Sequence, residues 1–124
     1  MTMALALGAA ALAAPRGRAA LSPAAPPPPP AAPSFAGDVA PILDRWCVSC
    51  HGADEAQAGL RLDSYEAVMK GGDDGPVIVA GDPAASQLVA QIERRARPPM
   101  PPKKRLPRDP ITVIRHWIAT GAQP

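Results

Sequence analysis

Proline placement sets the outer limits of what this chain can fold into. Fourteen of its 18 prolines fall in two blocks, eight in residues 1–33 and six in residues 97–110. A proline ring fixes φ and removes a backbone donor, so neither block can be continuous helix or central strand. The first block also holds 13 alanines and no acidic residue, which leaves residues 34–124, or 91 positions, for one small domain. A second core does not fit in that length. The only aromatics in those residues are Phe35, Trp46, Tyr65 and Trp117, so few large side chains exist to fill an interior. Domains of this size usually need a staple: a disulfide, a metal or a bound group. The only cysteines are Cys47 and Cys50, which marks one place for it.

The formal charge of +2 conceals two opposed halves. Residues 34–93 carry ten acids against three bases, net −7, whereas residues 94–115 carry eight bases against Asp109, net +7. That division excludes a uniformly basic nucleic-acid binder and describes a molecule with one basic end.

Residues 1–20 read as a signal peptide, 21–33 as a Pro/Ala-rich disordered linker, and 34–124 as the folded domain. Residues 3–14 are uncharged and apolar, and Ala11-Leu12-Ala13 fits a small-x-small cleavage pattern, placing the mature start near Ala14. Met1-Thr2-Met3 lacks the usual positive charge. Twelve residues are too few to span a hydrocarbon core of about 30 Å. The expectation is a periplasmic or otherwise exported protein with no stable membrane span once mature. Pro26 to Pro30 are consecutive and favour an extended polyproline rod, hence a spacer.

The rest predicts an all-α fold of about four helices joined by long loops. Phe35, Val39, Ile42, Leu43 and Trp46 recur at helical spacing, giving a helix over 36–48 capped by Ser34 or Asp38. A short helix over 63–70 has Asp63 and Glu66 as a capping box and Gly71-Gly72 as its stop. Val77-Ile78-Val79 is a brief extended piece. Asp82-Pro83 supplies a cap and an N1 proline for a helix running to about Arg95 with Leu88, Val89 and Ile92 inward. The last helix starts near Pro110, presents Ile111, Ile114, Trp117 and Ile118, and stops at Gly121. Phe35 and Trp117 are expected to meet where the first and last helices cross.

The chemistry begins at the end of the first helix. Cys47-Val48-Ser49-Cys50-His51 matches the Cys-x-x-Cys-His pattern of covalent haem c attachment. Two cysteines three apart on a turn reach the two vinyl groups of one porphyrin, and the following histidine offers its imidazole to the iron. The macrocycle then becomes the interior that the aromatics do not supply. Three other readings share these residues. A thioredoxin-like redox pair needs a βαβ setting that is missing here. A zinc site needs four ligands, and only a distant His116 is available as the fourth. A disulfide over so short a loop constrains the unfolded chain little.

A wider set of residues carries a resemblance. Phe35…Asp38-Val39…Pro41-Ile42-Leu43 leads into the motif and Gly52. Then follow Gly59-Leu60-Arg61-Leu62-Asp63-Ser64, Gly71-Gly72, Gly75-Pro76…Ile78-Val79 and Gly81-Asp82-Pro83. Last come Ser86…Leu88…Ile92, Met100-Pro101-Pro102 and Ile114…Trp117-Ile118…Gly121-Ala122. Over residues 35–122 the chain resembles the planctomycete-type cytochrome c domain, a family similar to class I monohaem cytochromes c. The resemblance implies an all-α fold wrapped around one covalently bound haem c, with iron held by His51 and Met100. It implies electron transfer rather than catalysis, either by an independent protein or by the redox domain of a larger oxidoreductase complex.

The residues around Met100 agree with that role, because Pro98-Pro99 and Pro101-Pro102 stiffen its loop. Met69 is expected in the core, and His116 on the surface. A backbone carbonyl at Gly75-Pro76 is placed to orient His51 through Nδ1. Arg61 is read as solvated, with a haem propionate as the sharper alternative. Arg94, Arg95, Arg97, Lys103, Lys104, Arg105 and Arg108 bracket Met100, which points to a docking rim for an acidic redox partner of a monomeric cytochrome. An alternative from another class is a five-coordinate haem c that binds a small gas or peroxide, which requires that Met100 not bind iron.

Overall fold

A computed structural model describes residues 4, 8–15, 17 and 19–124. The apolar run expected of a signal peptide lies partly outside the described residues, as do Met1 and Met3. The described residues up to 32 are exposed and take no helix or strand.

Ser34 opens the folded part. Its hydroxyl accepts from the Gly37 N–H at 3.0 Å, while the Asp38 carboxylate accepts from the Ser34 N–H at 2.8 Å. This reciprocal cap satisfies backbone donors that a helix start leaves unpaired. The first turn, Phe35–Val39, is π-helical and runs into helix α1, Ala40–Trp46. Helix α2 spans Tyr65–Lys70, α3 Gln87–Ile92 and α4 Arg108–Ala119. Among the described residues there is no strand, only isolated bridges pairing His51 with Ala56 and Gly72 with Gly75. The all-α architecture with long loops is as expected.

Several boundaries differ for identifiable reasons. Helix α1 stops at Trp46 rather than 48, because Cys47 and Val48 both donate to the Leu43 carbonyl as the chain turns. The cap of α2 is Ser64, whose hydroxyl accepts from the Ala67 N–H at 3.2 Å, and not Asp63. Asp63 is engaged by Arg61 at 2.6 Å, and this ion pair holds its carboxyl below the usual range. Asp82 accepts from the Ala85 N–H at 3.1 Å but caps only an isolated turn. Ser86 interrupts there: its buried hydroxyl donates to the Asp82 carbonyl and accepts from the Val79 N–H, both at 2.9 Å. Helix α3 therefore begins five residues after Asp82, at Gln87. It ends at Ile92, because Arg94 takes a left-handed φ of +65°. Helix α4 starts at Arg108, two residues before Pro110, which occupies a first-turn position where no intrahelical donor is needed.

The interior is one cluster. Val39 and Leu43 from the first helical segment meet Val68 of α2, Leu88, Val89 and Ile92 of α3, and Ile114, Trp117 and Ile118 of α4. Three of the four aromatics gather at one end: Phe35 lies 5.6 Å from Tyr65 edge-on and 5.7 Å from Trp117. The expected meeting of Phe35 and Trp117 is present. Both polar tips are satisfied by the C-terminal tail, with Tyr65 Oη donating to the Ala122 carbonyl and Trp117 Nε1 to that of Gln123. The aromatic trio closes the fold on the side formed by the π-helical turn, α2 and α4. Leu62, Leu88 and Ile92 belong to the same cluster and also face a large cavity.

Candidate functional site

The first wall of that cavity is the end of α1. The turn after Trp46 is closed by the N–H groups of Cys50 and His51, both donating to the Cys47 carbonyl at 3.2 and 2.9 Å. Residues 52–62 then fold back on the turn. The Leu62 N–H donates to the His51 carbonyl at 2.7 Å, and the Gln57 N–H to that of Cys50 at 3.0 Å. Gly52 is needed for this return, since a Cβ there would meet the Val48 carbonyl oxygen at 2.5 Å. Backbone bonds alone thus fix Cys47, Cys50 and His51 relative to one another.

His51 Nδ1 lies 3.2 Å from the Leu60 carbonyl oxygen. A carbonyl only accepts, so Nδ1 is the donor, and in the neutral ring this leaves the lone pair on Nε2 for a metal. The orienting carbonyl is therefore Leu60, not Gly75-Pro76, although Gly75 and Pro76 do line the cavity. The physical reason is the bridge at His51 and Ala56, which returns the 56–62 strand of loop alongside the imidazole.

Met100 stands on the second wall, in the proline-rich loop after α3. Its N–H donates to the Gln91 carbonyl at 3.1 Å, and Gln91 Nε2 donates to the Pro98 carbonyl at 3.2 Å. Cys47, Cys50, His51 and Met100 all line one cavity of about 1070 Å³. That volume lies just above the range of about 300–1,000 Å³ usual for small-molecule and cofactor sites. Its walls include the aliphatic side chains of Leu60, Leu62, Val77, Leu88 and Ile92. Trp46, the one aromatic outside the trio, also lines it, with the Arg45 guanidinium 5.5 Å from its ring centroid. Two thiols, an imidazole nitrogen and a thioether sulfur around an apolar-walled cavity are a donor set that fits covalently held haem c.

The competing uses of these residues fit less well. Cys47 and Cys50 are unbridged. Burial pushes the Cys47 thiol up to about 11, the opposite of the lowered thiol that disulfide exchange employs. Among the described residues no three His, Cys, Asp or Glu side chains converge to hold a metal. His116 is exposed on α4, away from the cavity, and Met69 packs partly buried against the core. Arg61 is committed to Asp63 and does not line the cavity.

The basic segment divides in a way its sequence does not show. Arg97, Lys103 and Lys104 line the cavity and make no ion pair among the described residues. Arg94 donates to two loop carbonyls, and Arg95 pairs with Glu93 at 2.7 Å. Glu93 also holds Arg115 at 2.6 Å. Arg105 and Arg108 line a separate cavity of about 400 Å³ beside Leu106 and Ile111. Opposite charges, Asp73 and Asp74, share the lining of the large cavity. Sequence reasoning missed Leu60, Gln91 and Ser86, whose roles arise from loop returns that no local pattern encodes.

One comparison with known families bears on this cavity. The family described as Planctomycete cytochrome C matches residues 47–104, from the first cysteine through Met100 to Lys104. That match, over 58 of the 124 residues, supports a planctomycete-type cytochrome c domain in this part of the chain. Domains of this kind bind haem c and serve haem-based electron transfer. No curated protein and no solved structure gives a match. No described helix is long and apolar enough to cross a membrane.

Proposed function

We propose that this protein is a monohaem c-type cytochrome that carries single electrons between exported redox partners. The observation that carries the reading is the convergence of Cys47, Cys50, His51 and Met100 on one cavity. Cys47 and Cys50 would hold the haem through thioether sulfurs, His51 through Nε2 and Met100 through its sulfur. A haem so held supplies a one-electron Fe(III)/Fe(II) couple. The Leu60 carbonyl keeps the His51 ring in one orientation and one tautomer. Leu60, Leu62, Val77, Leu88 and Ile92 line the cavity with apolar surface, which favours the less charged, reduced iron.

Arg97, Lys103 and Lys104, the bases of that segment that line the cavity, would face an acidic partner there, with the protein acting as a monomer. Residues 1–20 serve as the signal peptide for a periplasmic or equivalent exported location, and 21–33 as the linker to the domain at 34–124.

The test is the near-infrared spectrum of ferric full-length protein matured with haem. Sulfur ligation gives a weak methionine-to-iron charge-transfer band there. Its presence supports electron transfer with both axial positions filled. A high-spin spectrum without that band contradicts Met100 ligation and favours a haem open to a small gas or peroxide.

A further inference from the structure

The end of helix α3 poses a question that the haem site alone does not answer. Arg94 N–H donates to the Gln91 carbonyl at 3.0 Å, and Arg95 N–H to the Ala90 carbonyl at 2.8 Å. These two bonds, with φ of +65° at Arg94, form a Schellman stop, in which the left-handed position is normally glycine. A residue with a Cβ is strained in that conformation. The chain uses glycine at positive φ at Gly59, Gly71, Gly75, Gly81 and Gly121; among the described residues the non-glycine positions are Ala58, Arg94 and Ala122, and Arg94 is the one with a side chain able to hydrogen-bond. What sets Arg94 apart is where its side chain goes.

Arg94 Nη1 donates to the carbonyls of Pro101 and Lys104, both at 3.3 Å. Gln91 holds the other side of the same loop through Met100 N–H and the Pro98 carbonyl. Residues 98, 100, 101 and 104 are thus tied to the last turn of α3 from both flanks of Met100. Four of residues 98–102 are proline and supply no N–H, so the loop is poor in donors of its own, and a guanidinium with several donors is suited to bind the Pro101 and Lys104 carbonyls.

We infer that Arg94 is a positioning residue for Met100: it clamps the proline loop so that the sulfur stays in the cavity, and its left-handed backbone is the strain that placement entails. The inference rests on the reading of Met100 as an iron ligand.

Arg94→Gly is the informative variant, because it removes the clamp while giving the helix stop its preferred residue. In haem-loaded, full-length ferric protein, added imidazole must displace Met100, so its affinity reads the opening of the loop. We expect Arg94→Gly to bind imidazole at least about tenfold more tightly, since both hydrogen bonds from the charged guanidinium to the loop are lost. Exchange of the Met100 amide should quicken while amides within α4 are unchanged, and the denaturation midpoint should not fall. Arg94→Lys, which keeps the charge but not the two-acceptor fork, should lie between. Wild-type imidazole affinity together with wild-type Met100 amide exchange in Arg94→Gly overturns the clamp. Met100→Leu separates the two ideas: if it keeps the near-infrared band, the ligand reading fails, and the clamp is then judged by amide exchange alone.

Discussion

The two walls of the cavity are built by different means. On the side of Cys47, Cys50 and His51, main-chain bonds do the work: Cys50 and His51 close on Cys47, and residues 57 and 62 return to Cys50 and His51. Around Met100, from residue 97 to 107, there is no helix or strand, and five of those 11 residues are proline. That loop is held from outside, by side chains of Gln91 and Arg94 and by one backbone bond from Met100. A wall made of its own backbone is robust to side-chain change. A wall held by borrowed side chains can be loosened without unfolding the domain, and this suits the weaker of the two proposed ligands.

The largest effects should come from the first wall. Cys47→Ala with Cys50→Ala should leave no haem on the chain after acid–acetone extraction, and Cys50→Ala alone at most one thioether. His51→Ala should abolish the low-spin spectrum. Haem that survives extraction from the double variant would break the comparison at its root. Met100→Ala should act differently: the haem stays covalently attached, the near-infrared band disappears, imidazole binds readily and the potential falls, because a thioether favours Fe(II). Equal haem loss in both variants would mean that the walls are not separable.

A smaller effect is expected at Ser86, which starts the helix carrying the second wall. Ser86→Ala leaves the Val79 N–H without its acceptor inside the protein and should cost about 1–3 kcal/mol in denaturant unfolding, with attachment unaffected. The smallest effect on the site should follow Lys103→Glu with Lys104→Glu. Spectrum and potential stay near wild type, while association with an acidic redox partner slows. In the unaltered protein that association should weaken steeply with salt, since exposed charges are screened beyond about 8 Å at physiological ionic strength. Salt-independent transfer would reduce these lysines to a solvated surface.

The same contrast explains what could be read in the sequence. The Ser34 cap and the glycine stops at Gly71 and Gly121 are local, and each stands where expected, while the Cys47–His51 pattern is equally local and forms the turn after α1. Asp63 and Asp82 also looked like caps. One is taken by Arg61 two residues away, and the other caps a turn that Ser86 then interrupts by bonding across to Val79. Nothing in the local pattern marks Leu60 as the partner of His51, because that contact depends on where residues 56–62 return. The basic run read as one rim, but hydrogen bonding assigns Arg94 to the loop and Arg95 to Glu93. Local rules found the wall built of local bonds and missed most of what holds the other.

The central claim is that one haem is bonded to Cys47 and Cys50 inside this cavity. Mass analysis of the tryptic peptide spanning residues 46–61, from protein matured with haem and then denatured, tests it most directly. The account predicts that this peptide carries the mass of one haem, added across both cysteines. Recovery of the peptide unmodified, with free thiols or an internal disulfide, would contradict it.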